Sequence, residues 1–223
     1  MTSAEFWALL MLATAVSFTP GPNTTLSTAI AANRGLRPAL RFVLAVPVGW
    51  SLLLVLSALG VGALILAVPA LRWGALGLGV AYMLWLAWRL SGSGALASAE
   101  GGRLDVGFWQ GVLLQFVNIK AWMLALSIVA GWIGGQPDWP HRLALVLPVM
   151  LVFALASNFV YALVGSALRH WLARGRRLLW FNRVMALALA VTAFWMAWNA
   201  VGSAAGVRPP WHVGQAAPVE VAL

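Results

Sequence analysis

Residues 143–168 read LALVLPVMLVFALASNFVYALVGSAL and contain no Asp, Glu, Lys or Arg. The hydrocarbon core of a bilayer is about 30 Å thick, so a helix of about 20 apolar residues crosses it. This segment is long enough and apolar enough to be such a helix. Further charge-free windows cover residues 6–33, 42–71, 73–88 and 184–207, and residues 106–137 contain a single charge, Lys120. The sequence therefore predicts a chain that crosses a membrane several times.

The composition of the chain supports this fold class. Hydrophobic residues make up 62% of the 223 residues and charged residues only 9%, whereas about a quarter of a soluble domain is charged. Because lipid offers no hydrogen-bond partners to an open backbone, the spans must be helices or a closed barrel. The apolar runs are continuous and do not alternate as barrel strands do. We predict an all-α membrane protein with six transmembrane helices, near residues 5–32, 40–69, 71–90, 107–134, 143–168 and 180–202.

Arginines are distributed unevenly over the predicted connections. The first, third and fifth connections contain Arg34, Arg37, Arg41, Arg89, Arg103, Arg169, Arg174, Arg176, Arg177 and Arg183, against Arg72, Arg142 and Arg208 on the other side. Basic residues are enriched in cytoplasmic loops. We therefore expect both termini on the periplasmic side of a bacterial inner membrane, since no organelle signal is present. This explanation of the net charge of +9 requires no nucleic-acid partner.

The third connection divides the chain into two halves. Residues 91–106 begin with Ser91-Gly92-Ser93-Gly94 and have the composition of a flexible linker. Since each half has an odd number of spans, the second half enters the membrane in the opposite direction. Two inverted three-helix repeats are the architecture of many secondary transporters. We expect a six-helix transporter domain at 1–202, with repeats at about 5–90 and 107–202, and a disordered tail at 203–223.

The first predicted helix is interrupted by Thr19-Pro20-Gly21-Pro22-Asn23. Both prolines remove a backbone donor and obstruct the preceding turn, and the glycine between them loosens the backbone. Residues 6–18 and 23–32 are then two half-helices, each too short to span alone at about 1.5 Å per residue. A lone proline in a membrane helix is usually a simple kink. Two prolines around a glycine, followed by polar residues, favour a functional break.

The fourth predicted helix carries polar residues at a comparable depth, in the stretch Gln115-Phe116-Val117-Asn118-Ile119-Lys120-Ala121. Lys120 is about 13 residues into this helix, or roughly 20 Å along its axis. A lysine near a membrane surface can extend its ammonium group to water, but this one is too deep to reach the cytoplasm easily. Ionisable groups inside a membrane are functional candidates. The leading helix of each half is thus expected to be interrupted and to contact substrate.

Two such breaks suit a zwitterionic ligand. The N-termini of half-helices attract carboxylates, and free carbonyl groups attract cations. Asn23 and Thr24 begin the second half-helix, where backbone N–H groups can receive a carboxylate. Lys120 either pairs with this carboxylate or carries a proton for coupling, and the sequence leaves both roles open. Asn158 and Tyr161 in the fifth helix either line the pathway or hydrogen-bond helices to one another.

At these residues the chain resembles the lysine exporter (LysE/RhtB-type) family of amino-acid efflux translocators. The resemblance covers nearly the whole chain to about residue 202 and rests on Pro20-Gly21-Pro22-Asn23, Ala32-Asn33-Arg34-Gly35 and Asn118-Ile119-Lys120-Ala121. It implies export of amino acids or close derivatives from the bacterial cytoplasm, typically driven by the proton gradient, through a site between the two interrupted helices. The resemblance assigns substrate contact to Pro20, Gly21, Pro22, Asn118, Lys120 and Ala121, and residue chemistry adds Asn23, Thr24 and Gln115.

The second motif departs from the family pattern at one position. Family members commonly have proline where this chain has Ile119. A proline is the residue that most strongly interrupts a helix. We therefore expect the fourth helix to be less sharply broken than the first.

Other classes of function fit the sequence less well. An enzyme needs a catalytic carboxylate pair, a nucleophile–histidine pair or metal ligands, and the histidines all lie in or near loops, at His141, His170 and His212. The span interiors contain no Asp or Glu, and the chain has no cysteine, so we expect no catalytic residue, metal site or cofactor. The alternative is an exporter of a metal or another small cation with the same architecture, although divalent cations prefer carboxylate, thiolate or imidazole ligands. The oligomeric state stays open.

Overall fold

The computed structural model describes residues 1–92, 106–174 and 176–204, and every regular element within them is a helix. The α-helices are α1 Ser3–Phe18, α2 Pro22–Arg34, α3 Leu36–Ala58, α4 Val61–Ala67, α5 Pro69–Ser91, α6 Phe108–Val117, α7 Ile119–Ile128, α8 Trp139–Leu172 and α9 Arg177–Ala204. A π-helical turn, Val129–Ile133, continues α7. The fold class is therefore all-α, as predicted, for the described part of the chain.

Four of these helices, α3, α5, α8 and α9, are long and apolar enough to cross a membrane alone. α1 and α2 meet at a bend of 48°, and α6 meets α7 with its π-helical turn at a bend of 70°. Each bent pair has the length and composition of a span only when its two parts are taken together. The described residues thus form up to six spans, and both bends lie in the leading helix of a predicted half, where the sequence predicts interruptions.

The first break is built by the residues around Gly21. α1 ends at Phe18, and α2 begins at Pro22, whose missing N–H costs nothing at the first helical position. The backbone of Gly21 is fully extended (φ −168°, ψ −176°). Its N–H donates to Thr24 Oγ1 at 2.9 Å, and its carbonyl accepts the Thr25 N–H at 2.9 Å. The Thr24 hydroxyl therefore caps α2 locally, without help from α1.

The second break is sharper than the first, so the expectation that Ile119 weakens it is wrong. Asn118 alone separates α6 from α7, with an extended backbone (φ −89°, ψ 99°). Its carbonyl accepts the N–H groups of Ala121 and Trp122 at 2.9 and 3.2 Å. The indole of Trp122 donates to the Phe116 carbonyl at 2.8 Å. Backbone groups on both sides of this break are thus hydrogen-bonded, and no proline is needed to hold it.

The second predicted helix, 40–69, is wrong in length. α3 ends at Ala58, and Gly60 adopts a left-handed conformation (φ 90°) that residues with a side chain rarely adopt. The short helix α4 follows, and α5 begins at Pro69 after an extended Val68. The segment carries no charge, so hydropathy alone does not reveal this corner.

The predicted linker and tail fall mainly on residues 93–105 and 205–223, which lie outside the described part of the chain. At their described edges, Ser91 still belongs to α5, and residues 203 and 204 still belong to α9. The helix α9 therefore continues two residues into the segment that the sequence predicts as a disordered tail.

Two large apolar clusters fill most of the interior of the bundle. The Phe42 cluster joins α2, α3, α5, α6, α8 and α9, and its buried residues include Leu26, Ile30, Phe42, Val43, Val46, Leu86, Leu90, Leu114, Ala162, Ala186 and Leu189. The Leu9 cluster joins α1, α3, α7, α8 and the π-helical turn, and its buried residues include Leu9, Ala13, Trp50, Leu53, Leu54, Ala125, Ile128, Ile133, Val146 and Met150. On both α3 and α8, the residues of one cluster come before those of the other along the helix. The two clusters are therefore stacked along the axis of the bundle.

Helix backbones approach most closely at two glycines of the described residues. A Cβ on Gly165 of α8 would lie 2.2 Å from the Thr28 carbonyl oxygen of α2. A Cβ on Gly79 of α5 would lie 2.0 Å from the Val117 carbonyl oxygen at the end of α6. Small residues allow membrane helices to pack at such short range. Neither position accepts a side chain unless the helices move apart.

We expect Gly165→Ala to lower the free energy of unfolding by about 1–3 kcal/mol, the usual cost of overpacking, because its methyl group collides with α2. Thermal unfolding of the purified protein in detergent measures this. Gly77→Ala on α5 is the matched control, since nothing lies within 4 Å of its added Cβ. Equal unfolding temperatures for the two variants would contradict the contact between α8 and α2.

Candidate functional site

The two breaks meet at a cavity of about 70 Å³ inside the bundle. A buried water needs about 10–15 Å³ by this measure, so there is room for roughly five waters or one small polar solute. The lining comes from α1, α2, α3, α7, α8 and both breaks, through Val16, Ser17, Thr19, Gly21, Pro22, Asn23, Thr24, Val46, Trp50, Asn118, Lys120, Ala121, Leu124, Met150, Ala154, Ser157 and Asn158.

The cavity lies between the two apolar clusters. On α3 its lining residues are Val46 of the Phe42 cluster and Trp50 of the Leu9 cluster. On α8 the lining runs from Met150 of the Leu9 cluster to Asn158, one turn before Ala162 of the Phe42 cluster. Apolar layers therefore separate the cavity from both ends of the bundle, which puts it at mid-depth.

Lys120 extends from the start of α7 to the first break. Its Nζ donates to the Thr19 carbonyl at 3.3 Å. A Cβ on Gly21 would lie 3.1 Å from this Nζ and 3.4 Å from the Lys120 Cδ, so the absence of a side chain at residue 21 lets the lysine lie against the backbone. No carboxylate of the described residues pairs with it. Since an ammonium has three donors, Lys120 keeps N–H groups for an anionic ligand.

The carbonyl groups at the end of α1 are bonded by side chains. The Thr19 hydroxyl donates to the Ala15 carbonyl, and the Tyr161 hydroxyl donates to the Phe18 carbonyl at 2.9 Å. Lys120 bonds the next carbonyl, that of Thr19. A broken helix leaves its last carbonyls without partners, and a cation there also interacts favourably with the helix dipole. Tyr161 therefore fastens α8 to the end of α1, and it does not line the cavity.

Asn23 and Gln115 form a reciprocal amide pair that joins the two breaks. Asn23 Nδ2 donates to Gln115 Oε1 at 2.8 Å, and Gln115 Nε2 donates to Asn23 Oδ1 at 3.1 Å. The same Nε2 also donates to the Gly111 carbonyl at 3.1 Å. Gln115 is fully buried and lies outside the lining. Of this predicted pair, only Asn23 reaches the cavity.

Asn118 carries an acceptor that the protein leaves open. The residue is 3% exposed and lines the cavity, and its Oδ1 has no hydrogen-bond partner among the described residues. Leaving a buried acceptor unbonded costs about 1–3 kcal/mol. A donor on a bound ligand would recover this energy. Asn118 and Lys120 therefore both line the cavity, the first with a buried acceptor that lacks a donor and the second with a charged donor.

The remaining predicted residues divide between lining and packing. Ala121 lines the cavity and is buried, and Pro20 is exposed beside it without lining it. Asn158 lines the cavity, but its amide is already bonded, because Oδ1 accepts the Ser27 hydroxyl at 2.9 Å and Nδ2 donates to the Ala154 carbonyl at 2.8 Å. Asn158 thus ties α8 to α2, which agrees with the packing role that the sequence left open.

The Ala32-Asn33-Arg34-Gly35 motif lies at the end of α2, away from the cavity. Asn33 and Asn182 of α9 form a second reciprocal amide pair at 2.8 and 2.9 Å, and both are buried. Gly35 then turns the chain into α3 with φ 92°. The motif therefore fixes the packing of α2 on α9 and the sharp corner that follows.

Several residues that line the cavity are not predicted from the sequence. On α3, Val46 and Trp50 are four residues apart, and on α8 the lining residues Met150 and Ala154 have the same spacing, which puts each pair on one helix face. This spacing could have identified Trp50. Nothing in the sequence says that these two faces meet.

A polar cluster ties the far end of α1 to its neighbours. Arg142 Nη1 lies 3.4 Å from Glu5 Oε1, and Arg142 Nε donates to Asp138 Oδ1 at 2.9 Å. The Trp132 indole donates to the Glu5 carbonyl at 2.8 Å. The hydrogen bond from Arg142 lowers the pKa of Asp138 below its ordinary value. The pair is therefore intact at neutral pH and weakens only as the pH falls through that lowered pKa.

Among the described residues, no group of three His, Cys, Asp or Glu side chains could hold a metal ion. The side chains that commonly bind divalent cations are therefore not grouped together in the described part of the chain.

Comparisons with known proteins identify the family of this chain. A sequence model of LysE type translocators matches residues 14–200. A cysteine/O-acetylserine efflux protein of Salmonella typhimurium is 30% identical over 200 residues, covering 86% of this chain and 96% of the relative. A protein of the same name from Klebsiella pneumoniae subsp. pneumoniae is 28% identical over 195 residues, covering 86% and 97%. An uncharacterized membrane protein of Pseudomonas aeruginosa is 32% identical over 185 residues, covering 78% and 85%.

No solved structure matches the chain significantly. The family match includes both breaks and every residue that lines the cavity. Members of this family are translocators, which confirms the resemblance found in the sequence and the expectation that the protein is not an enzyme. The chain is a multi-pass membrane transporter that belongs to the LysE type translocator family.

Proposed function

We propose that the chain exports a small amino acid or a close derivative from the bacterial cytoplasm. The observation that carries the proposal is that two complementary residues line one mid-depth cavity, Lys120 with its ammonium group and Asn118 with a buried side-chain oxygen that lacks a donor. The first is a cation without a carboxylate partner among the described residues, and the second is a buried acceptor without a donor. A zwitterionic amino acid carries a carboxylate for the lysine and an ammonium for the amide oxygen.

The start of α2 extends the proposed carboxylate site. Because the chain is broken, the first N–H groups of α2, those of Asn23 and Thr24, have no helical carbonyl one turn earlier. Both residues line the cavity, as does Gly21. The positive end of the helix dipole adds to the attraction of Lys120 for an anion. We therefore propose that the substrate carboxylate binds between Lys120 and the first turn of α2.

The lining favours a small and neutral side chain. Lys120 is the only ionisable group among the lining residues, so no carboxylate there would hold the second ammonium of a basic amino acid. Trp50 and Met150 add apolar surface. Two of the relatives are named as cysteine/O-acetylserine efflux proteins. We propose cysteine, O-acetylserine or a similarly small neutral amino acid as the substrate.

We also propose that export is coupled to the proton gradient through Lys120. The protonated lysine holds the substrate carboxylate, and loss of the proton to water on one side of the membrane releases it. No other lining residue ionises. Lys120 would thus serve both roles that the sequence leaves open, at different steps of one cycle.

In proteoliposomes, Lys120→Arg is expected to exchange labelled O-acetylserine at a rate within a few-fold of wild type. The same variant should lose the accumulation of substrate that a pH gradient drives. Arginine keeps the positive charge and does not release its proton. Lys120→Gln should lower both activities by about tenfold to a hundredfold, because it removes a hydrogen bond to a charged group and a loss of that size corresponds to such a factor. Full gradient-driven accumulation by Lys120→Arg would contradict proton carriage, and full exchange by Lys120→Gln would remove the proposed site.

A substrate analogue separates carboxylate binding from the role of Lys120 in capping α1. The amide of the same amino acid lacks the carboxylate, so it should inhibit wild-type exchange about tenfold or more weakly than the amino acid does. In Lys120→Gln this preference should largely disappear. If α1 is merely disturbed, inhibition by both compounds should weaken equally and the preference should remain.

We propose that α1 moves during alternating access, in a transporter built from two inverted repeats. Leu9 and Ala13 are the only buried residues of α1, whereas α2 is buried along almost its whole length. The break at residues 19–21 gives α1 a hinge, and Glu5 at its other end is fastened to Arg142 and Trp132. Opening the cavity toward this end, proposed as the periplasmic end, requires these bonds to break.

Linking Glu5→Cys to Arg142→Cys with a short bifunctional thiol reagent is expected to stop efflux, and reductive cleavage of the link should restore it. The chain contains no cysteine of its own, so within this protein the reagent acts at the introduced pair alone, and treated cells with the wild-type protein show its other effects. Efflux of O-acetylserine from cells is the readout.

The matched control joins Asp138→Cys to Arg142→Cys. These positions lie side by side at the start of α8, so their link does not restrain α1, and efflux should continue. Efflux that persists at full rate through a complete link between positions 5 and 142 would refute movement of α1.

A further inference from the structure

Three arginines lie over tryptophan rings near the ends of α5, α8 and α9. The guanidinium carbon is 4.8, 4.7 and 5.4 Å from the ring centroid in the pairs Arg89–Trp85, Arg177–Trp171 and Arg183–Trp180. At this distance the face of the ring attracts the cation. The three rings are 41%, 54% and 59% exposed. Each pair is therefore on the outer surface of the bundle, and we call the three together the Arg–Trp surface.

The three pairs lie at the same end of the bundle. Leu90 of α5 packs with Ala186 of α9 in the Phe42 cluster, so the last turn of α5 is beside the start of α9. Leu172 at the end of α8 packs with Leu178 at the start of α9 and with Ala32 near the end of α2. The Arg–Trp surface thus extends over three neighbouring helix ends.

This end of the molecule is strongly positive in the described part of the chain. Arg37, Arg41, Arg169, Arg174 and Arg176 lie at the same end as the Arg–Trp surface. The carboxylates of the described residues are Glu5 and Asp138, and both lie at the opposite end beside Arg142. An anionic partner fits this imbalance of charge.

The geometry of the pairs selects a particular anion. Arg177 and Arg183 stack on their rings through the face of the guanidinium and keep the N–H groups at its edge, which match phosphate oxygens two at a time. Exposed tryptophans at the ends of membrane helices occupy the depth of the lipid headgroups. We propose that the Arg–Trp surface binds the phosphodiester headgroups of anionic phospholipids, such as phosphatidylglycerol. This proposal does not depend on what the protein transports.

The test compares two variants with equal loss of charge. Arg177→Gln with Arg183→Gln removes two stacked arginines, and Arg174→Gln with Arg176→Gln removes two exposed arginines for which the described residues show no stacked ring. Delipidated full-length protein in detergent is titrated with phosphatidylglycerol or phosphatidylcholine, and bound lipid is counted by native mass spectrometry. We expect the first variant to bind phosphatidylglycerol weaker by roughly fivefold for each arginine removed, and the control to stay within about twofold.

Each other outcome overturns the proposal. An equal loss of phosphatidylglycerol affinity in the two variants would indicate diffuse attraction by charge. No loss of affinity in either variant would show that the stacked arginines do not bind the lipid. Displacement of phosphatidylglycerol by millimolar inorganic phosphate would identify a site for soluble anions. An unchanged unfolding temperature in phosphatidylcholine shows that the Arg177→Gln, Arg183→Gln variant is folded.

Discussion

The structure depends on the need to bond backbone groups that a broken helix exposes inside an apolar bundle. α1 ends at Phe18, and no further helical turn supplies donors to its last carbonyl groups. The Thr19 hydroxyl, Tyr161 from α8 and Lys120 from α7 provide the donors instead. Each such hydrogen bond adds little net free energy to folding, whereas a carbonyl group that is buried without a donor destabilises the fold considerably. The first break therefore requires the second break and α8 to lie against it.

This requirement also explains why a cavity with polar walls forms at the breaks. Most polar groups there are bonded by the protein, including the amides of Asn23, Gln115 and Asn158. Asn118 Oδ1 is left without a donor among the described residues, and Lys120 keeps spare N–H groups. Apolar clusters lie on both sides of these groups along the axis of the bundle. A ligand can then be recognised by few contacts, because each is made in a medium of low polarity.

Packing divides the bundle into a fixed part and a lightly held part. α2 is buried and meets α8 at backbone contact through Gly165, and Asn33 joins it to α9. α1 buries little surface and is held at its two ends, by the break and by the Glu5–Arg142 cluster. Elements with few buried contacts are the ones that move at low cost. The cavity is thus lined both by the firmly packed α2 and α8 and by the lightly packed α1, the helix that we propose to move.

The sequence by itself determined the helical membrane class and the position of both breaks, because hydropathy, missing proline N–H groups and a buried lysine are properties of local chain chemistry. It also singled out Asn118 and Lys120, which line the cavity. Only the tertiary structure decided that Gln115 bonds Asn23, that Tyr161 caps α1, and that Asn118 needs no proline beside it to break the helix. Those outcomes depend on which helices lie together, and contacts between residues 92 or 143 positions apart leave no periodic pattern in the chain.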